Sequence, residues 1–277
     1  MYNTTKLTHH AFLAVLIRVS FGGMTTQLPE LVGISYSPWT EKARWALDYC
    51  QVPYSYSEHT ILLSMPKLSK RLKKPGKEIT IPLLIAENGP ILDSFEIALF
   101  ADAHKNNPDQ SPLFPADQLY EIKHLNMLCE TVLDATRALV IQNILKNPQA
   151  LQDSLPRAIP RFVRPPLKFM ARLGTRYISK AFEVEEKSEA AHRLALTQGI
   201  FLLDRAWKKA GSRFMAGDHF TYADILLATT LQGVAPVKDT FISLTPALRE
   251  VWSQPELARE MQDLTTWRDE LYLRYRA

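Results

Sequence analysis

Residues 79–103 read ITIPLLIAENGPILDSFEIALFADA, and this stretch determines the fold of the first half of the chain. It begins with an apolar run typical of a buried strand, and Asn88-Gly89 is a hairpin signal that leads into a second short strand. Asp93 and Ser94 then open a helix, because a side-chain oxygen at that point can accept from the free N–H groups of the first turn. Two strands joined by a tight turn and followed by a helix indicate a compact α/β unit.

The preceding residues extend this unit. Residues 31–36 form a short β-like run that ends at Ser37-Pro38, and apolar residues at helical spacing follow. Ser37 is a good N-cap and Pro38 a good first helical residue, because the N–H that proline lacks has no partner there. A second strand at residues 54–59 and a mobile, Lys-rich connection at about residues 62–77 complete the predicted order β-α-β-loop-β-β-α.

The chain divides into two domains by composition. Three prolines in ten residues predict a linker at residues 106–115. The segment before it, residues 29–105, is the α/β domain. The pattern beyond it is helical throughout, so we expect an all-α domain at residues 116–277, with a Pro-broken insert at residues 154–182.

The helical domain has one clear start signal. Thr221 and Asp224 have the spacing of a capping box, in which the threonine caps the helix and the aspartate reaches back to the threonine amide. This motif predicts a folding element rather than a site. We expect helices at residues 117–146, 184–210, 222–235 and 246–274.

Length and composition exclude several classes of protein. The chain has 277 residues, 46% of them hydrophobic, and a net charge of +4, so a mainly disordered protein is excluded. Two cysteines cannot form a disulfide scaffold, and both lie in apolar helical patterns that predict buried, reduced thiols. Residues 1–28 are expected to be a disordered leader, with Met24 as the functional start. The apolar run at residues 11–17 is too short to span a bilayer.

The positive charge is concentrated in the insert at residues 154–182, which has seven cations and no acid. The insert is interpreted as a solvated helical excursion, a lid, an attractor of anionic substrates or a weak membrane-surface contact. A nucleic-acid partner is not expected, because seven charges alone specify nothing. Aromatic and other apolar residues lie between the cations: Phe162, Phe169, Met170 and Tyr177.

Several chemistries have no support in the sequence. The histidines are scattered without the spacing of a ligand pair, and no C-x-x-C is present, so no metal site is predicted. No serine lies in G-x-S-x-G, and the ten glycines form neither of the common phosphate-binding loops.

The turn Ser37-Pro38-Trp39-Thr40 is the most informative candidate site. Hydroxyls at a helix N-terminus lie among unpaired backbone N–H groups, and the positive end of the helix dipole favours an anion such as a thiolate. Two cysteines in such a turn would exchange disulfides. Ser37 and Thr40 cannot, but they can stabilise a thiolate that a ligand brings. The alternative is that Ser37 is only an N-cap.

Two further segments fit the same ligand. Pro82 lies in an apolar strand, where a proline indicates either a cis bond or the start of the strand. A cis bond would expose the backbone N–H and C=O of Ile81 to a peptide-like ligand. Asp93 and Ser94, at a second helix N-terminus, suit an α-amino acid group, with the helix end binding its carboxylate and Asp93 its ammonium. Together the three segments fit a short thiol peptide.

Three stretches, SYSPWTEKARWAL, TIPLLIAENGPILDSFEIALFAD and FMAGDHFTYADILLA, resemble the cytosolic glutathione transferase family over about residues 30–275. The resemblance implies a thioredoxin-like α/β N-terminal domain, an all-α C-terminal domain, a homodimer and a cytoplasmic location. It also implies that glutathione is the co-substrate and that a small hydrophobic electrophile accepts its thiolate.

The resemblance also implies roles for individual residues. Ser37 matches the catalytic Ser or Cys of the serine/cysteine-type classes, with Tyr36 as the second choice for the thiolate contact. Ile81 and Pro82 match the residues that pair with the cysteinyl backbone of glutathione, and the acidic-Ser pair Asp93 and Ser94 grips its γ-glutamyl end. A non-catalytic binding protein and a glutathione-dependent isomerase or dehalogenase are the alternatives. A reductase is disfavoured, because position 37 is not a cysteine.

Overall fold

The structure is a computed structural model that describes residues 28–60, 64–155, 159–211 and 213–276. The expected leader at residues 1–28 and its proposed start at Met24 therefore lie outside the described residues, apart from Leu28. Within the described ranges, no helix has the length and apolar character that crossing a membrane requires.

The N-terminal domain is a four-stranded mixed sheet with three helices, and the predicted order of its strands and main helices is confirmed. The strands lie in the order β2-β1-β3-β4. β1 is parallel to β2 and antiparallel to β3, and β3 is antiparallel to β4. The elements are β1 (Glu30–Gly33), α1 (Pro38–Tyr49), β2 (Ser55–Glu58), α2 (Met65–Leu72), β3 (Leu83–Ala86), β4 (Gly89–Ile91) and α3 (Ser94–Ala103).

The predicted Lys-rich connection at about residues 62–77 is partly wrong, because it contains helix α2 and a short 3-10 turn at Gly76–Glu78. Leu68 is buried in a small second core with residues of β1 and β3, which accounts for the helix in a segment rich in lysine. The helix ends at Leu72, and its C-cap, Lys73, has a backbone in the left-handed region with φ of 52°.

The C-terminal domain is helical, as predicted. The expected single helix at residues 246–274 is wrong, since the structure has three helices there. Pro255 begins the second of them, at a position where it cannot continue the hydrogen bonds of the first. The elements are α4 (Leu119–Lys146), α5 (Pro148–Asp153), α6 (Lys168–Ala181), α7 (Glu189–Lys209), α8 (Tyr222–Thr230), α9 (Pro246–Trp252), α10 (Pro255–Glu260) and α11 (Gln262–Tyr275).

The predicted capping box at the start of α8 is confirmed. Asp224 is fully buried, and its Oδ2 accepts from the Thr221 amide at 2.8 Å. Its Oδ1 accepts from the Met215 amide at 2.7 Å. Burial raises the pKa of this carboxyl to about 7, against the opposing effect of these hydrogen bonds.

The segment between the domains is held in place by hydrogen bonds. The carboxylate of Asp102, in α3, accepts from the amides of Leu113 and Phe114 at 2.9 and 3.2 Å. Leu113 is fully buried, and its carbonyl accepts from the Tyr222 amide of α8 at 2.9 Å. The residues predicted as a linker therefore fix the end of α3 to the start of α8.

A single apolar core runs through both domains. It includes Leu31 and Trp45 from the N-terminal domain and Tyr222 and Tyr272 from the helical domain, all fully buried. The indole Nε1 of Trp45 donates to the carbonyl of Tyr275 at 3.0 Å. Helix α1 packs against both α3 and α8, so it lies at the boundary between the two domains.

Candidate functional site

The strand register brings the predicted site segments to one end of the sheet. The last β1–β3 pair at this end is Val32 with Leu83, so one step further the register places Gly33 opposite Pro82. The last β3–β4 pair is Leu84 with Ile91, so two steps further it places Asp93 opposite Pro82. Ser37 follows four residues after Gly33, at the start of α1. The three segments that sequence analysis singles out separately are thus adjacent in space.

Ser37 begins α1 without using its hydroxyl to cap the helix. The Ser37 amide donates to the Ile34 carbonyl at 2.9 Å, and its own carbonyl accepts from the Glu41 amide at 2.9 Å. Its φ of −80° and ψ of 129° are typical of an N-cap, but its side chain makes no capping hydrogen bond. Ser37 is therefore the N-cap of α1 by position and backbone, as predicted, but its side chain does not cap the helix. The hydroxyl lies half-buried at the positive end of α1.

Thr40 supports the fold of the same turn. It is fully buried, and its hydroxyl oxygen accepts from the Ile34 amide at 3.0 Å. Gly33 lies directly against it, since a Cβ on Gly33 would come within 2.4 Å of the Thr40 Cγ2. Thr40 thus fixes the path of the chain from β1 into α1, and a contact between Thr40 and a ligand thiolate gains no support.

The alternative thiolate contact, Tyr36, is half-buried and packs against the main core. The turn beside it is held by Glu58, whose Oε1 accepts from the amide and hydroxyl of Ser35 at 3.1 and 3.2 Å. The Tyr56 hydroxyl donates to the other Glu58 oxygen at 2.7 Å, and burial together with this carboxylate raises the pKa of Tyr56. No local pattern in the sequence indicates these hydrogen bonds to Glu58.

The Ile81–Pro82 peptide bond is cis, one of the two readings of the sequence. Pro82 is buried and precedes β3 directly, while Ile81 remains half-buried. The Thr80 hydroxyl donates to the Leu92 carbonyl, which ties this segment to the residue before Asp93. Ile81 and Asp93 therefore belong to one connected surface.

Asp93 is the N-cap of α3. Its Oδ1 accepts from the amides of Phe95 and Glu96 at 2.7 and 3.3 Å, and the residue remains exposed. Ser94 is 3% exposed, and its carbonyl accepts from the Tyr222 hydroxyl at 3.4 Å. Oδ1 of Asp93 thus caps the helix, and its negative charge stands where a ligand ammonium would be attracted.

A charged cluster at the domain boundary was not predicted. Lys42, fully buried in α1, forms an ion pair with Glu130 of α4. The other Glu130 oxygen accepts from the indole Nε1 of Trp39 at 2.6 Å. The i, i+3 spacing of Trp39 and Lys42 places both side chains on one face of α1, but nothing local in the sequence indicates their partner.

A stack of side chains continues from this cluster. The guanidinium of Arg137, in α4, lies 4.8 Å from the ring centroid of Trp39 and 3.7 Å from that of Phe182. Phe182 follows directly after α6. Trp39 is two residues from Ser37, so the stack links the end of the basic insert to the start of α1.

The two thiols do not contribute to this site. Cys50 and Cys129 are both buried and free, as predicted, and burial raises the pKa of each to about 12. Such thiols stay protonated at neutral pH and are poor nucleophiles. Among the described residues, no group of three or more His, Cys, Asp or Glu side chains could hold a metal ion.

One surface cavity lies elsewhere in the helical domain. It is lined by residues of α11 and the segment before α8, among them Arg213, Trp267 and Arg274. Phe214, also in its lining, lies 6.4 Å from the Tyr275 ring, and Tyr275 contacts Tyr49 at the far end of α1 from Ser37. A helix of this length spans about 18 Å, so the cavity is separate from the candidate site.

Comparison with protein families gives two matches. Residues 36–104 match the N-terminal domain of glutathione S-transferase, and residues 174–259 match its C-terminal domain. The two matches lie within the N-terminal and helical domains in the family's order. A search of curated proteins returns no match.

Solved structures share the fold at low identity. The glutathione transferase GSTFuA3 from Phanerochaete chrysosporium is 16% identical with a TM-score of 0.59, covering 91% of this chain and 97% of that one. One from Ceriporiopsis subvermispora, in complex with glutathione, is 16% identical with a TM-score of 0.57, covering 89% and 96%. One from Methylobacterium radiotolerans, in complex with glutathione sulfonate, is 18% identical with a TM-score of 0.54, covering 89% and 91%.

Proposed function

The chain belongs to the glutathione transferase family, and from this membership we propose that it binds glutathione and transfers its thiolate to a small hydrophobic electrophile. The proposal rests mainly on the position of three segments at one end of the sheet. There the Ser37 turn, the cis Ile81–Pro82 bond and Asp93 are neighbours.

Each segment has a role in this proposal. The backbone of Ile81 pairs with the cysteinyl unit of glutathione, and Pro82 fixes its direction. Asp93 attracts the γ-glutamyl ammonium, while Ser94 and the N-terminus of α3 receive the γ-glutamyl carboxylate. The cysteinyl sulfur then lies at the start of α1, where the Ser37 hydroxyl donates a hydrogen bond to it.

The size of the effect on the thiol follows from two contributions. A helix N-terminus stabilises an anion by about 0.3–2 kcal/mol, and a hydrogen bond to a charged group adds about 1.5–3 kcal/mol. At about 1.4 kcal/mol per pKa unit, these lower the pKa of a thiol of about 8.5 to roughly 5–7. The bound sulfur is then mostly thiolate at neutral pH, ready to form a carbon–sulfur bond with the electrophile.

The Ser37→Ala variant tests this mechanism. We expect the pKa of bound glutathione, read from thiolate absorbance or from the pH profile of kcat/KM, to rise by about 1–2 units because one charged hydrogen bond is lost. At a pH below the wild-type pKa, conjugation should fall about 10- to 100-fold, because there the thiolate fraction falls tenfold for each unit by which the pKa rises. Unchanged turnover and an unchanged pH profile would reject the role of Ser37.

Two matched variants sharpen the test. Ser35→Ala removes a hydroxyl in the same turn that donates to Glu58, so it should leave the pH profile unchanged. Tyr36→Phe removes the alternative hydroxyl. If it shifts the profile while Ser37→Ala does not, the thiolate contact belongs to Tyr36.

Retention on immobilised glutathione and a panel of electrophiles separate catalysis from binding. Retention with turnover supports the transferase, retention without turnover supports a binding protein, and no retention rejects the glutathione site.

Two further expectations rest on the family alone. Light scattering after size exclusion tests the homodimer, and microscopy of the tagged protein tests the cytoplasmic location.

A further inference from the structure

Helix α6 has an unusual distribution of side chains, because it buries its small residues and exposes its large apolar ones. The helix packs against α4 and α5. The residues buried on that side are Ala171, Gly174, Thr175 and Ser179. The exposed residues are Phe169, Leu173 and Tyr177, with 67%, 60% and 55% of their surface accessible. A helix that only covered the core would have the opposite arrangement.

The exposed apolar residues form a continuous stripe. Phe169, Leu173 and Tyr177 are spaced i, i+4 and i+8, so they lie on one face of α6. Phe162, in the short 3-10 turn Arg161–Val163 that precedes the helix in the chain, is also exposed, at 83%. We call these four residues, with Met170, the α6 apolar face.

Cations follow the edge of the α6 apolar face. Arg172, Arg176 and Lys180 are exposed and again spaced four apart, and Lys168 is half-exposed one turn earlier. At 100° per residue, these side chains lie on one flank of the stripe. The helix itself contains no acid, and Glu183, Glu185 and Glu186 come only after its C-terminus.

The insert offers fewer free cations than its sequence indicates. Arg164 is buried, with its Nε donating to the Ile159 carbonyl at 2.9 Å and its Nη1 at 3.9 Å from an Asp153 oxygen. Arg157 and the Arg161 side chain lie outside the described residues. Among the described residues of the insert, the exposed cations are therefore Arg172, Arg176 and Lys180 on α6.

From this face we propose that α6 binds the surface of an anionic membrane and lies parallel to it. Phe169, Leu173 and Tyr177 enter the boundary between headgroups and acyl chains, where aromatic and aliphatic side chains are stabilised. Arg172, Arg176 and Lys180 contact the lipid phosphates, and their long stems allow them to do so from the flank of the helix.

Charge favours a lipid over a second copy of this chain. A two-fold dimer would place the α6 apolar face against itself, and Arg172 and Arg176 would then meet the same cations of the partner with no acid of α6 to compensate. An anionic bilayer supplies both an apolar layer and a dense negative surface, which matches the two halves of this face.

Co-sedimentation with vesicles tests the proposal on the full chain. We expect binding to vesicles of phosphatidylcholine and phosphatidylserine in a 70:30 ratio, and at least tenfold weaker binding to phosphatidylcholine alone. Salt should weaken binding, because the screening length falls from about 10 Å at 0.1 M to about 3 Å at 1 M. Equal binding to both vesicles, or none to the anionic ones at low salt, would overturn the proposal.

Variants assign the binding to α6. Each cation removed from an anionic surface weakens binding about fivefold, so the triple variant Arg172→Gln, Arg176→Gln, Lys180→Gln should lose roughly 100-fold. Phe169→Ser with Leu173→Ser should also weaken binding at least tenfold, while circular dichroism stays unchanged because both side chains are exposed.

A matched control removes the same charge elsewhere. Lys67, Lys70 and Lys77 are exposed cations of the N-terminal domain, and their replacement by Gln should leave vesicle binding unchanged within about twofold. An equal loss of vesicle binding in this control would show a general effect of charge and overturn the proposal that α6 binds the membrane. A changed oligomer mass in the α6 variants, without vesicle binding by the parent protein, would show that the face joins copies of the chain instead.

Discussion

The Lys42–Glu130 ion pair beside the candidate site yields a prediction whose size follows from burial. Lys42 is 0% exposed, whereas the Glu130 side chain is 35% exposed. Removing one partner of a buried pair costs about 3–5 kcal/mol, because the other charge is left without compensation. Water reaches Glu130 but not Lys42, so Glu130→Gln leaves the buried Lys42 ammonium without a charged partner. We expect it to lower the free energy of unfolding by about 3 kcal/mol.

The comparison with other variants separates charge from hydrogen bonding. Gln at position 130 still offers an oxygen to the Trp39 indole, so Glu130→Ala should cost about 1–2 kcal/mol more than Glu130→Gln. Lys42→Met removes the buried charge at similar volume, and the remaining Glu130 is partly hydrated. The double variant with Glu130→Gln should therefore be close to Lys42→Met alone, with a coupling energy of about 3 kcal/mol.

Urea unfolding followed by tryptophan fluorescence measures these differences, with the same denaturant slope required of every variant. Glu189→Gln is the matched control, because its pair with Lys146 is exposed on both sides and its removal should matter much less than Glu130→Gln. If Glu130→Gln and Lys42→Met are additive within about 0.5 kcal/mol, the ion pair does not hold α1 to α4.

Three other predictions concern the fold and the ligand. Burial raises the pKa of Asp224 to about 7 in the folded state, so its contribution to stability is present at low pH and should fall by about 2–3 kcal/mol between pH 5 and pH 8. Asp224→Asn should remove this pH dependence of the free energy of unfolding, measured by urea unfolding. An equal pH dependence in both proteins would show that Asp224 is not its source. Asp93→Asn should keep the cap of α3 within about 0.5 kcal/mol but weaken glutathione binding at least tenfold by calorimetry, whereas Asp93→Ala should lose about 1 kcal/mol of stability as well. Wild-type affinity in Asp93→Asn would exclude the ammonium contact. Gly33→Ala should cost about 1–3 kcal/mol through its clash with the Thr40 methyl group, and Thr40→Ser should recover part of this loss in thermal unfolding; no recovery would place the strain elsewhere.

The N-terminal domain could be predicted because its signals are local. Pro38 in the first turn of α1 and Asn88-Gly89 at the hairpin each act within a few residues. Asp93 as the cap of α3 is equally local. The three site segments were found for the same reason, but their adjacency follows only from the order β2-β1-β3-β4, which no single segment encodes.

The sequence-based predictions are wrong or incomplete where the local structure depends on residues far away in the chain. The lysines of α2 dominate its pattern and predict a connection, whereas the burial of Leu68 against residues of the sheet favours a helix. The break before Pro255 was visible in the sequence, yet the apolar spacing on both sides resembled one long helix. Glu130 gave no signal, since its partners Trp39 and Lys42 lie about 90 residues away along the chain.

The basic insert allows several functions by its sequence, and its structure favours one of them. The sequence indicates that cations and aromatic residues alternate, which is compatible with a lid, a substrate attractor or a membrane contact. In the structure Arg164 is buried and paired, and Leu173 and its neighbours are exposed, so the cations of α6 border an apolar stripe. A substrate attractor needs charge alone, and a lid would turn its large apolar side chains inward. An exposed apolar face bordered by cations is what an anionic bilayer surface requires.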